Sequence, residues 1–455
     1  MNLWTAAEVA EATGGKAVGG FEAGGVAFDS REVKPGDLFV AMSGEATDGH
    51  RFLRQAFKAG AAGAIASAAC DGPHVRVGDG LAALQALGRA ARDRTAAQIV
   101  GITGSVGKTS AKEALYAALE RSNRDRVHRS LKSYNNHTGV PLSLARMPRS
   151  AAYGVFEMGM NHAGELAVLT RMVRPHVAIV TAIAPAHLEF FADEAAIADA
   201  KAEIFQGLQP GGVAIAPHDS PHRDRLVAAA RLHAERVVTF GLEKGADVQA
   251  REVMRLGTGG TFVTAAFPGG RELGFTVAQP GLHHVSNALA VLAAVDALGA
   301  DLGQAGLALA ELSGLAGRGA RIRVSVGDGE ALLIDESYNA NTASVRASLA
   351  VLAVESGRRV AVLGEMRELG EQSGVLHAGL ADALIAARVE RALLVGEAMR
   401  PLAHALEGRV DLMHVADADA ALARLRDLLA PGDAVLVKGS NGVGLSRVVA
   451  ALGGA

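Results

Sequence analysis

The segment at residues 101–110, GITGSVGKTS, has the composition of a phosphate-binding loop. Its first residues end the apolar run Gln98–Thr103, which predicts a buried parallel strand, and it leads into a predicted helix at Lys108–Glu120. Glycines let backbone N–H groups converge on phosphate oxygens, and a helix start adds a favourable dipole. In such a loop Lys108 reaches the β- and γ-phosphates, and the Thr109 hydroxyl binds Mg²⁺. We therefore expect a nucleotide in contact with Gly104, Ser105, Val106, Gly107, Lys108, Thr109 and Ser110.

Three further polar residues are singled out by their positions, and of these the acid, Glu157, could hold a metal ion. Glu157 directly follows a strand predicted at 153–156, and the carboxyl ends of parallel strands face the ligand crevice. His187 follows the end of another predicted strand, and Lys201 lies inside a helix predicted at 193–208. Taken singly, each has a plain alternative: a solvated strand-end acid, a structural loop histidine and a solvated helix lysine.

Composition excludes several classes of protein. The 455 residues carry 45 basic and 48 acidic side chains, a formal net charge of −3, and no basic block, so nucleic acid is not expected as the main partner. The single cysteine, Cys70, excludes an internal disulfide framework and a cysteine-built zinc site, as expected in a reducing cytoplasm. We see no export signal and no apolar run near the roughly 20 residues that span a bilayer. We expect a cytoplasmic monomer without membrane insertion.

The pattern of strands and helices predicts an α/β fold in three domains. Residues 1–95 form a small α/β domain, with strands at 38–41 and 64–66 and helices near 50–59 and 81–94. Residues 96–317 form a central parallel sheet of the phosphate-loop type, with a further strand at 177–183 and an antiparallel addition over 247–277. In residues 318–455 a helix follows each predicted strand, which indicates a Rossmann-like parallel sheet; the strands are 331–334, 359–363, 391–395 and 434–437.

Several short motifs together resemble the Mur ligases, ATP-dependent amide-forming enzymes that build the peptide of bacterial peptidoglycan. The resemblance extends over essentially the whole chain in the same three-domain order. Its main motifs are the loop at 101–110, NNHTGVP at 135–141, EMG at 157–159, His187, and AKAEIF at 200–205. Four more stretches favour the member that adds a dipeptide: DSR at 29–31, YNAN at 338–341, LGEMRELG at 363–370 and VKGS at 437–440.

The sequence departs from the family pattern at a few positions in and near the third domain. Asp335-Glu336 stands where the family has two aspartates, and Thr342 replaces a common proline. Gly319 replaces a large apolar residue, and Glu365 replaces an aspartate. The Asp-Asn-Pro-Arg motif of the diaminopimelate-adding ligase has no counterpart.

The resemblance implies a reaction and a set of roles. D-alanyl-D-alanine is joined to UDP-N-acetylmuramoyl-tripeptide through an acyl phosphate formed from ATP, with Lys108, His187 and Lys201 as catalytic residues. Two Mg²⁺ ions are implied at Thr109, Glu157, His187 and Lys201, the lysine being carbamylated. Further ATP contacts are implied at His283, Asn287, Arg318 and Asp335. The first domain binds the UDP-muramoyl peptide, with contacts at Ser30, Arg31, Ser43, Asn135 and Asn136; the third domain closes on ATP and binds the acceptor dipeptide through Asn339 and Asn341.

Alternatives remain open from the residues themselves. Ile102 stands where the strict phosphate-loop spacing has glycine, so a plain glycine turn is possible, and Asn287, Asn339 and Asn341 are also typical of helix caps and turns. The nearest rivals are other ligases of the same superfamily, a diaminopimelate- or lysine-adding ligase or a folylpolyglutamate synthetase. The last of these is disfavoured by the dedicated domain ahead of the phosphate loop. A phosphate-loop NTPase acting as a regulatory module lacks support, since no Asn-Lys-x-Asp motif is present. The glycines at 439–444 have the wrong spacing for a dinucleotide oxidoreductase.

Overall fold

Three large sheets with flanking helices follow one another along the chain in the computed structural model, which describes residues 2–44, 47–186, 188–257 and 259–454. The α/β class predicted from the sequence is confirmed. His187, one of the predicted site residues, lies outside the described residues. Within the described residues, no helix is long and apolar enough to cross a membrane.

The first part of the chain forms a five-stranded sheet and a two-stranded ribbon. Its elements are β1 (Trp4–Thr5), α1 (Ala6–Thr13), β2 (Lys16–Val18), β3 (Glu22–Ala23), β4 (Gly25–Ala27), β5 (Asp37–Val40), a 3₁₀ turn (Gly49–Phe52), α2 (Leu53–Lys58), β6 (Gly63–Ala66), β7 (His74–Arg76) and α3 (Gly80–Asp93). The sheet order is β2-β7-β6-β5-β4, parallel except for β2. Helix α3 begins where the Asp79 carboxylate accepts a hydrogen bond from the Ala82 amide.

The central part forms a nine-stranded sheet. Its elements are β8 (Gln98–Thr103), α4 (Lys108–Glu120), β9 (Val127–Arg129), α5 (Gly139–Ala145), β10 (Tyr153–Glu157), α6 (Glu165–Val173), β11 (Val177–Val180), α7 (Glu194–Ala202), a 3₁₀ segment (Glu203–Gly207), β12 (Val213–Pro217), α8 (Arg223–Ala230), β13 (Arg236–Gly241), β14 (Val248–Arg255), β15 (Thr261–Phe267), β16 (Arg271–Val277), α9 (Leu282–Ala297) and α10 (Leu302–Glu311). The sheet order is β16-β15-β14-β13-β12-β11-β8-β10-β9. Only β14, β15 and β16 pair antiparallel, as the sequence predicts. Strand β8 is central and, beyond Gln98, buried, because apolar clusters cover both faces of the sheet.

The last part forms a six-stranded sheet. Its elements are β17 (Ala320–Val326), β18 (Gly329–Glu336), α11 (Thr342–Leu352), β19 (Arg359–Gly364), a 3₁₀ turn (Gly370–Gln372), α12 (Ser373–Ala378), α13 (Ala381–Ala386), β20 (Arg391–Val395), a 3₁₀ turn (Glu397–Met399), α14 (Arg400–Leu406), β21 (Asp411–Val415), α15 (Ala418–Leu428), β22 (Ala434–Lys438), a 3₁₀ turn (Asn441–Val443) and α16 (Leu445–Gly453). The order is β17-β18-β22-β19-β20-β21. The four predicted strands are parallel neighbours. Neither edge strand was predicted, the antiparallel β17 or the parallel β21.

Two predicted elements are shorter in the structure. The helix predicted at 193–208 ends at Ala202 and continues as the 3₁₀ segment Glu203–Gly207. The chain there lies against α6, since a Cβ on Gly207 would lie 2.3 Å from the carbonyl oxygen of Thr170. The strand predicted at 177–183 ends at Val180, because the chain then turns over the phosphate loop.

Candidate functional site

The loop between β8 and α4 is held in shape by two glycines and one threonine. Gly104 has φ 151°, and a Cβ there would lie 2.0 Å from Thr181 Oγ1. Gly107 has φ 86°, and a Cβ there would lie 2.5 Å from Asn287 Oδ1. The Thr181 hydroxyl donates to the carbonyl of Val106 at 2.6 Å. The loop therefore has the close backbone approach that a phosphate-binding loop requires.

Lys108 is the first residue of α4 and lies over the loop. Its Nζ donates to the carbonyl oxygen of Gly104 at 2.6 Å. Burial lowers the pKa of Lys108; the nearby Glu157 carboxylate acts in the opposite direction, and the Arg318 guanidinium adds to the lowering. A phosphate group in the loop would give this ammonium a direct anionic partner.

The carboxylate of Glu157 lies at the carboxyl end of β10 and is 1% exposed. Its Oε2 accepts a hydrogen bond from the Thr109 hydroxyl at 2.8 Å, and its Oε1 accepts one from Asn135 Nδ2 at 2.7 Å. The register pairs Glu157 with Ile102 of β8, so the carboxylate lies beside the start of the loop. Two adjacent hard oxygen donors, a hydroxyl and a carboxylate, are the ligand types that Mg²⁺ prefers.

A cavity of about 460 Å³ lies between the phosphate loop and the last sheet. Most of the nucleotide, metal and acceptor residues predicted from the sequence line it, together with Asn135, which was predicted to contact the UDP-muramoyl peptide. These are Ser105, Val106, Gly107, Lys108, Thr109, Ser110, Asn135, Glu157, His283, Asn287, Arg318, Asn339 and Asn341. The described residues that line it come from the central and last sheets and the segments between them, so a ligand in the cavity would touch both.

Asp335 does not match its predicted position in the ATP site. Its carboxylate accepts hydrogen bonds from the Gly317 amide at 2.6 Å and from the Ser337 hydroxyl at 2.6 Å, and it is 4% exposed. Successive side chains of a strand point to opposite faces, and the next residue of β18, Glu336, lines the cavity instead. Asp335 therefore shapes the turn at 317, and of these two adjacent acids it is Glu336 that faces the cavity.

Lys438 is a second cavity residue to which the sequence analysis gave no role. It ends β22 and is 2% exposed. Its Nζ donates to the carbonyl oxygen of Asn339 at 2.9 Å and lies 3.4 Å from Glu336 Oε2. Burial lowers the pKa of Lys438, opposed by Glu336. Lys438 could have been found from the VKGS motif, and Glu336 from its position next to Asp335 on the alternating strand β18.

Lys201 lies in the last turn of α7 and is 1% exposed. Burial, followed by the charge of Lys108, lowers its pKa well below the ordinary value. The predicted partner His187 is outside the described residues. Among the described residues, no group of three histidine, cysteine, aspartate or glutamate side chains could hold a metal.

His283 and Asn287 lie one turn apart on α9, beside the phosphate loop. The ring of His283 lies 4.0 Å from the ring of His284, centroid to centroid. Burial, followed by the neighbouring His283, lowers the pKa of His284 well below its ordinary value. The two rings are tilted by 42° to each other and line the same cavity as Gly107, an arrangement compatible with an adenine or ribose ligand.

The residues predicted to hold the UDP-muramoyl peptide are not gathered at this cavity, except for Asn135. The side chain of Arg31 is 82% exposed and pairs with Asp29. The Ser43 hydroxyl donates to Asp48 at 3.3 Å. Asn136 uses its side-chain oxygen to accept the Gly139 amide at 2.9 Å, at the start of α5.

The two predicted acceptor residues also have local roles. Asn341 caps α11 by accepting the Ser344 amide at 2.9 Å, and Asn339 accepts the Ala340 amide at 2.9 Å. Both line the cavity as well. Asn341 thus acts as a helix cap and Asn339 as a turn residue, the local roles considered from the sequence, and both residues also face the cavity.

Comparison with known families gives three matches along the chain. They are the Mur ligase family catalytic domain at residues 22–120, the Mur ligase middle domain at 102–295, and the Mur ligase glutamate ligase domain at 318–441. An Escherichia coli K12 protein named UDP-N-acetylmuramoyl-tripeptide–D-alanyl-D-alanine ligase is 36% identical over 433 residues, covering 94% of this chain and 93% of that protein. The chain belongs to the Mur ligase family.

Solved structures of Mur ligases have the same architecture. MurF from Acinetobacter baumannii superposes with a TM-score of 0.86 at 32% identity, covering 99% of both chains. MurF ligase from Thermotoga maritima in complex with ADP gives a TM-score of 0.78 at 26% identity, covering 93% of this chain and 96% of that one. The three-domain α/β architecture predicted for this Mur ligase is thus confirmed.

Proposed function

We propose that the protein uses ATP to join D-alanyl-D-alanine to UDP-N-acetylmuramoyl-tripeptide, giving ADP, phosphate and the UDP-muramoyl-pentapeptide. The observation that carries the proposal is the cavity in which Lys108, Thr109 and Glu157 face polar groups of the last sheet. The relatives named for this reaction match over nearly the full length of the chain, which supports the same substrates here.

In the first step the tripeptide carboxylate attacks the γ-phosphorus of ATP, a P–O bond forms to the acyl oxygen, and ADP leaves. Phosphoryl transfer of this kind depends on positioning and charge neutralisation more than on a protein nucleophile. Lys108 exchanges the Gly104 carbonyl for phosphate oxygens, and the loop amides with the start of α4 bind the remaining charge. His283, Asn287 and Arg318 orient the nucleoside.

The residues at the end of β10 and the start of α4 fit a magnesium ion. Thr109 Oγ1 and Glu157 Oε2 are 2.8 Å apart, so these two oxygens would hold one ion of the kind that prefers hard oxygen ligands. When bound, Mg²⁺ supplies further neutralisation of the transferring phosphoryl group. We assign a second ion to His187 and Lys201.

Lys201 is suited to carbamylation. Its lowered pKa favours the neutral amine, whose nitrogen can form a bond to the carbon of CO₂ with loss of a proton. The resulting carbamate is anionic and offers oxygen ligands, whereas an ammonium would repel the metal. We expect a carbamate carbon signal by NMR after exposure to ¹³C-bicarbonate, and its loss in Lys201→Ala; an unmodified lysine in the active enzyme would contradict this assignment.

In the second step the amine of D-alanyl-D-alanine attacks the acyl carbon, and phosphate leaves from a tetrahedral intermediate. Asn339 and Asn341 hold the dipeptide from the last sheet. Closure of this part of the chain, residues 318–455, over the central part, residues 96–317, excludes water from the acyl phosphate. Small-angle scattering with an ATP analogue and the UDP substrate should show compaction, and an unchanged profile would contradict closure.

The first part of the chain, residues 1–95, holds the UDP end of the substrate. Ser30, Arg31 and Ser43 contact the nucleotide, with Arg31 as a bidentate phosphate partner, while Asn135 and Asn136 lie toward the peptide. We infer a monomer that works in the cytoplasm.

The proposal is tested by mass spectrometry of the product. Purified protein receives ATP, UDP-N-acetylmuramoyl-tripeptide and D-alanyl-D-alanine, and the pentapeptide is expected with one phosphate released per product. Parallel reactions supply the UDP-linked dipeptide with diaminopimelate or lysine. Product in those reactions, with none from D-alanyl-D-alanine, would instead establish a different Mur ligase, and phosphate release without any product would favour an NTPase module.

A further inference from the structure

The segment at residues 131–135, between β9 and α5, is contacted from all three parts of the molecule. It contains Lys132, which has φ 50°, a left-handed conformation that is uncommon for residues other than glycine. Such a conformation persists where surrounding contacts determine it. Those contacts come from α4, from the turn at residues 28–32, and from Arg318.

The contact from α4 is made by Lys112, whose side chain is fully buried. Its Nζ donates to the carbonyl oxygen of Lys132 at 2.7 Å, lies 3.1 Å from Glu113 Oε1 and lies 3.8 Å from Glu157 Oε2. A buried ammonium is costly unless it is paired and hydrogen-bonded. Lys112 therefore fixes the left-handed residue and the proposed metal carboxylate relative to each other.

The contact from the first domain is made through Tyr134. Its hydroxyl donates to the carboxylate of Glu32 at 2.9 Å, and its ring lies 5.6 Å from the ring of Phe28. Burial and the bond to Glu32 raise the pKa of Tyr134, so the phenol remains a donor. Lys132 pairs with the same carboxylate. Tyr134 thus touches both ends of the turn that carries Ser30 and Arg31.

The end of the segment reaches the proposed catalytic groups. Asn135 donates through Nδ2 to Glu157 Oε1 at 2.7 Å, and its carbonyl accepts the Gly159 amide at 2.8 Å. Arg318, which stacks on the ring of Tyr338, approaches Ser133 Oγ at 3.4 Å. A displacement of the 131–135 segment would therefore disturb the hydrogen bond from Asn135 to Glu157.

We propose that Glu32, Tyr134 and Lys112 are positioning residues, which hold the 131–135 segment between the turn at 28–32 and Glu157. A ligand bound on that turn then changes the affinity of the nucleotide site for its metal ion. The inference rests on the proposed function for the roles of Glu157 and of the turn. Coupling between two sites is reciprocal, so a nucleotide with its metal would also change affinity for the UDP substrate.

The test is calorimetric titration of ADP into the full-length protein at a series of Mg²⁺ concentrations. The quantity measured is the Mg²⁺ concentration that gives half of the metal-dependent increase in ADP affinity. Tyr134→Phe and Glu32→Gln should each raise this concentration by about fivefold. Lys112→Met should raise it by about tenfold, the scale seen when a partner of a metal ligand is removed. Binding of ADP without Mg²⁺ should remain within about twofold of wild type, because the loop amides are intact. Tyr153→Phe, at the opposite end of β10, is the matched control and should leave both values unchanged.

A second arm adds saturating UDP-N-acetylmuramoyl-tripeptide. In the wild type it should change the affinity for Mg²⁺-ADP by about fivefold or more, and Tyr134→Phe should abolish that change while the melting temperature stays near wild type. Unchanged Mg²⁺ dependence in both Tyr134→Phe and Glu32→Gln would overturn the inference. Failure to make the pentapeptide, with the Mg²⁺ shifts present, would overturn the proposed function and leave this inference standing.

Discussion

The two ends of the proposed substrate path are built differently. At the phosphate end, Glu157 is 1% exposed, and its two oxygens accept hydrogen bonds from Thr109 and Asn135, which lie on other elements. At the UDP end, the Arg31 side chain is 82% exposed, and its partner is Asp29, two residues earlier. The charged side chain at the phosphate end has partners that are distant in the sequence, whereas the charged side chain at the UDP end has its partner within its own turn.

This difference separates chemistry from binding. Groups held by distant elements are preorganised, and preorganised charge lowers the barrier of the reaction itself. An exposed arginine such as Arg31, paired with Asp29, gains phosphate partners when ligand arrives, so its contribution is to binding. Substitutions at the phosphate end should therefore lower kcat, whereas substitutions at the UDP end should raise KM.

The largest effect is expected for Lys108→Ala. Removal of the ammonium that faces the transferred phosphoryl group should lower kcat/KM for ATP by about 10³-fold, measured as phosphate release. Lys58→Ala, on the exposed end of α2, is the control. Turnover near wild type in a folded Lys108→Ala protein would contradict the assignment of the phosphate end.

A large effect is also expected for Glu157→Gln. Loss of a partner of a metal ligand costs about 10–100-fold in affinity, so loss of a direct ligand should raise the Mg²⁺ requirement by at least about 100-fold. The requirement is read from phosphate release over a Mg²⁺ series, with Glu165→Gln on α6 as the control. An unchanged requirement would remove Glu157 from the metal site.

Arg31→Ala tests the other side of the comparison, the expectation that substitutions at the UDP end raise KM and leave kcat nearly unchanged. Loss of a hydrogen bond to a charged group costs about 1.5–3 kcal/mol, so KM for the UDP substrate should rise by about 10-fold or more while kcat changes by less than about twofold. Steady-state kinetics with Arg54→Ala in parallel measure this. A fall in kcat at constant KM would place Arg31 at the chemistry and erase the contrast.

The smallest effect concerns pH and His128, on β9, whose ring lies 5.8 Å from the ring of Phe156 of β10. Burial lowers its pKa from 6.5 to about 4, and its Nε2 lies 2.7 Å from the carbonyl oxygen of Ser143. Between these values the unfolded chain binds a proton that the native chain does not, so stability is lost as pH falls from 6.5 toward 4. Urea unfolding of His128→Gln should show a shallower loss, by at most about 1.4 kcal/mol per pH unit; equal slopes would contradict it.

Local sequence signals predicted the elements that carry the proposed phosphate end. A buried strand, a glycine turn and a helix start are short-range features, and the order of side chains around Gly107 and Lys108 is set by the chain itself. The residue at the end of β10 was also found this way, because parallel strands end at one edge of the sheet.

Other features depend on contacts that the sequence does not display. Asp335 and Glu336 are adjacent acids, so strand alternation places them on opposite faces of the sheet. The contact of Asp335 with the turn at Gly317 decides which of the two faces the cavity. Lys112 has the spacing of an ordinary helix lysine, and its burial depends on the segment at 131–135 folding over it. The link from Tyr134 to Glu32 joins residues 102 positions apart.

The central claim is that ATP is spent to activate the tripeptide carboxylate, and isotope transfer tests it most directly. The UDP substrate is labelled with ¹⁸O in that carboxylate and incubated with ATP, D-alanyl-D-alanine and protein, and the released phosphate is analysed by mass spectrometry. Attack of the carboxylate on the γ-phosphorus predicts one ¹⁸O atom in each phosphate. Unlabelled phosphate accompanying pentapeptide formation would contradict the acyl phosphate and the roles assigned around Lys108.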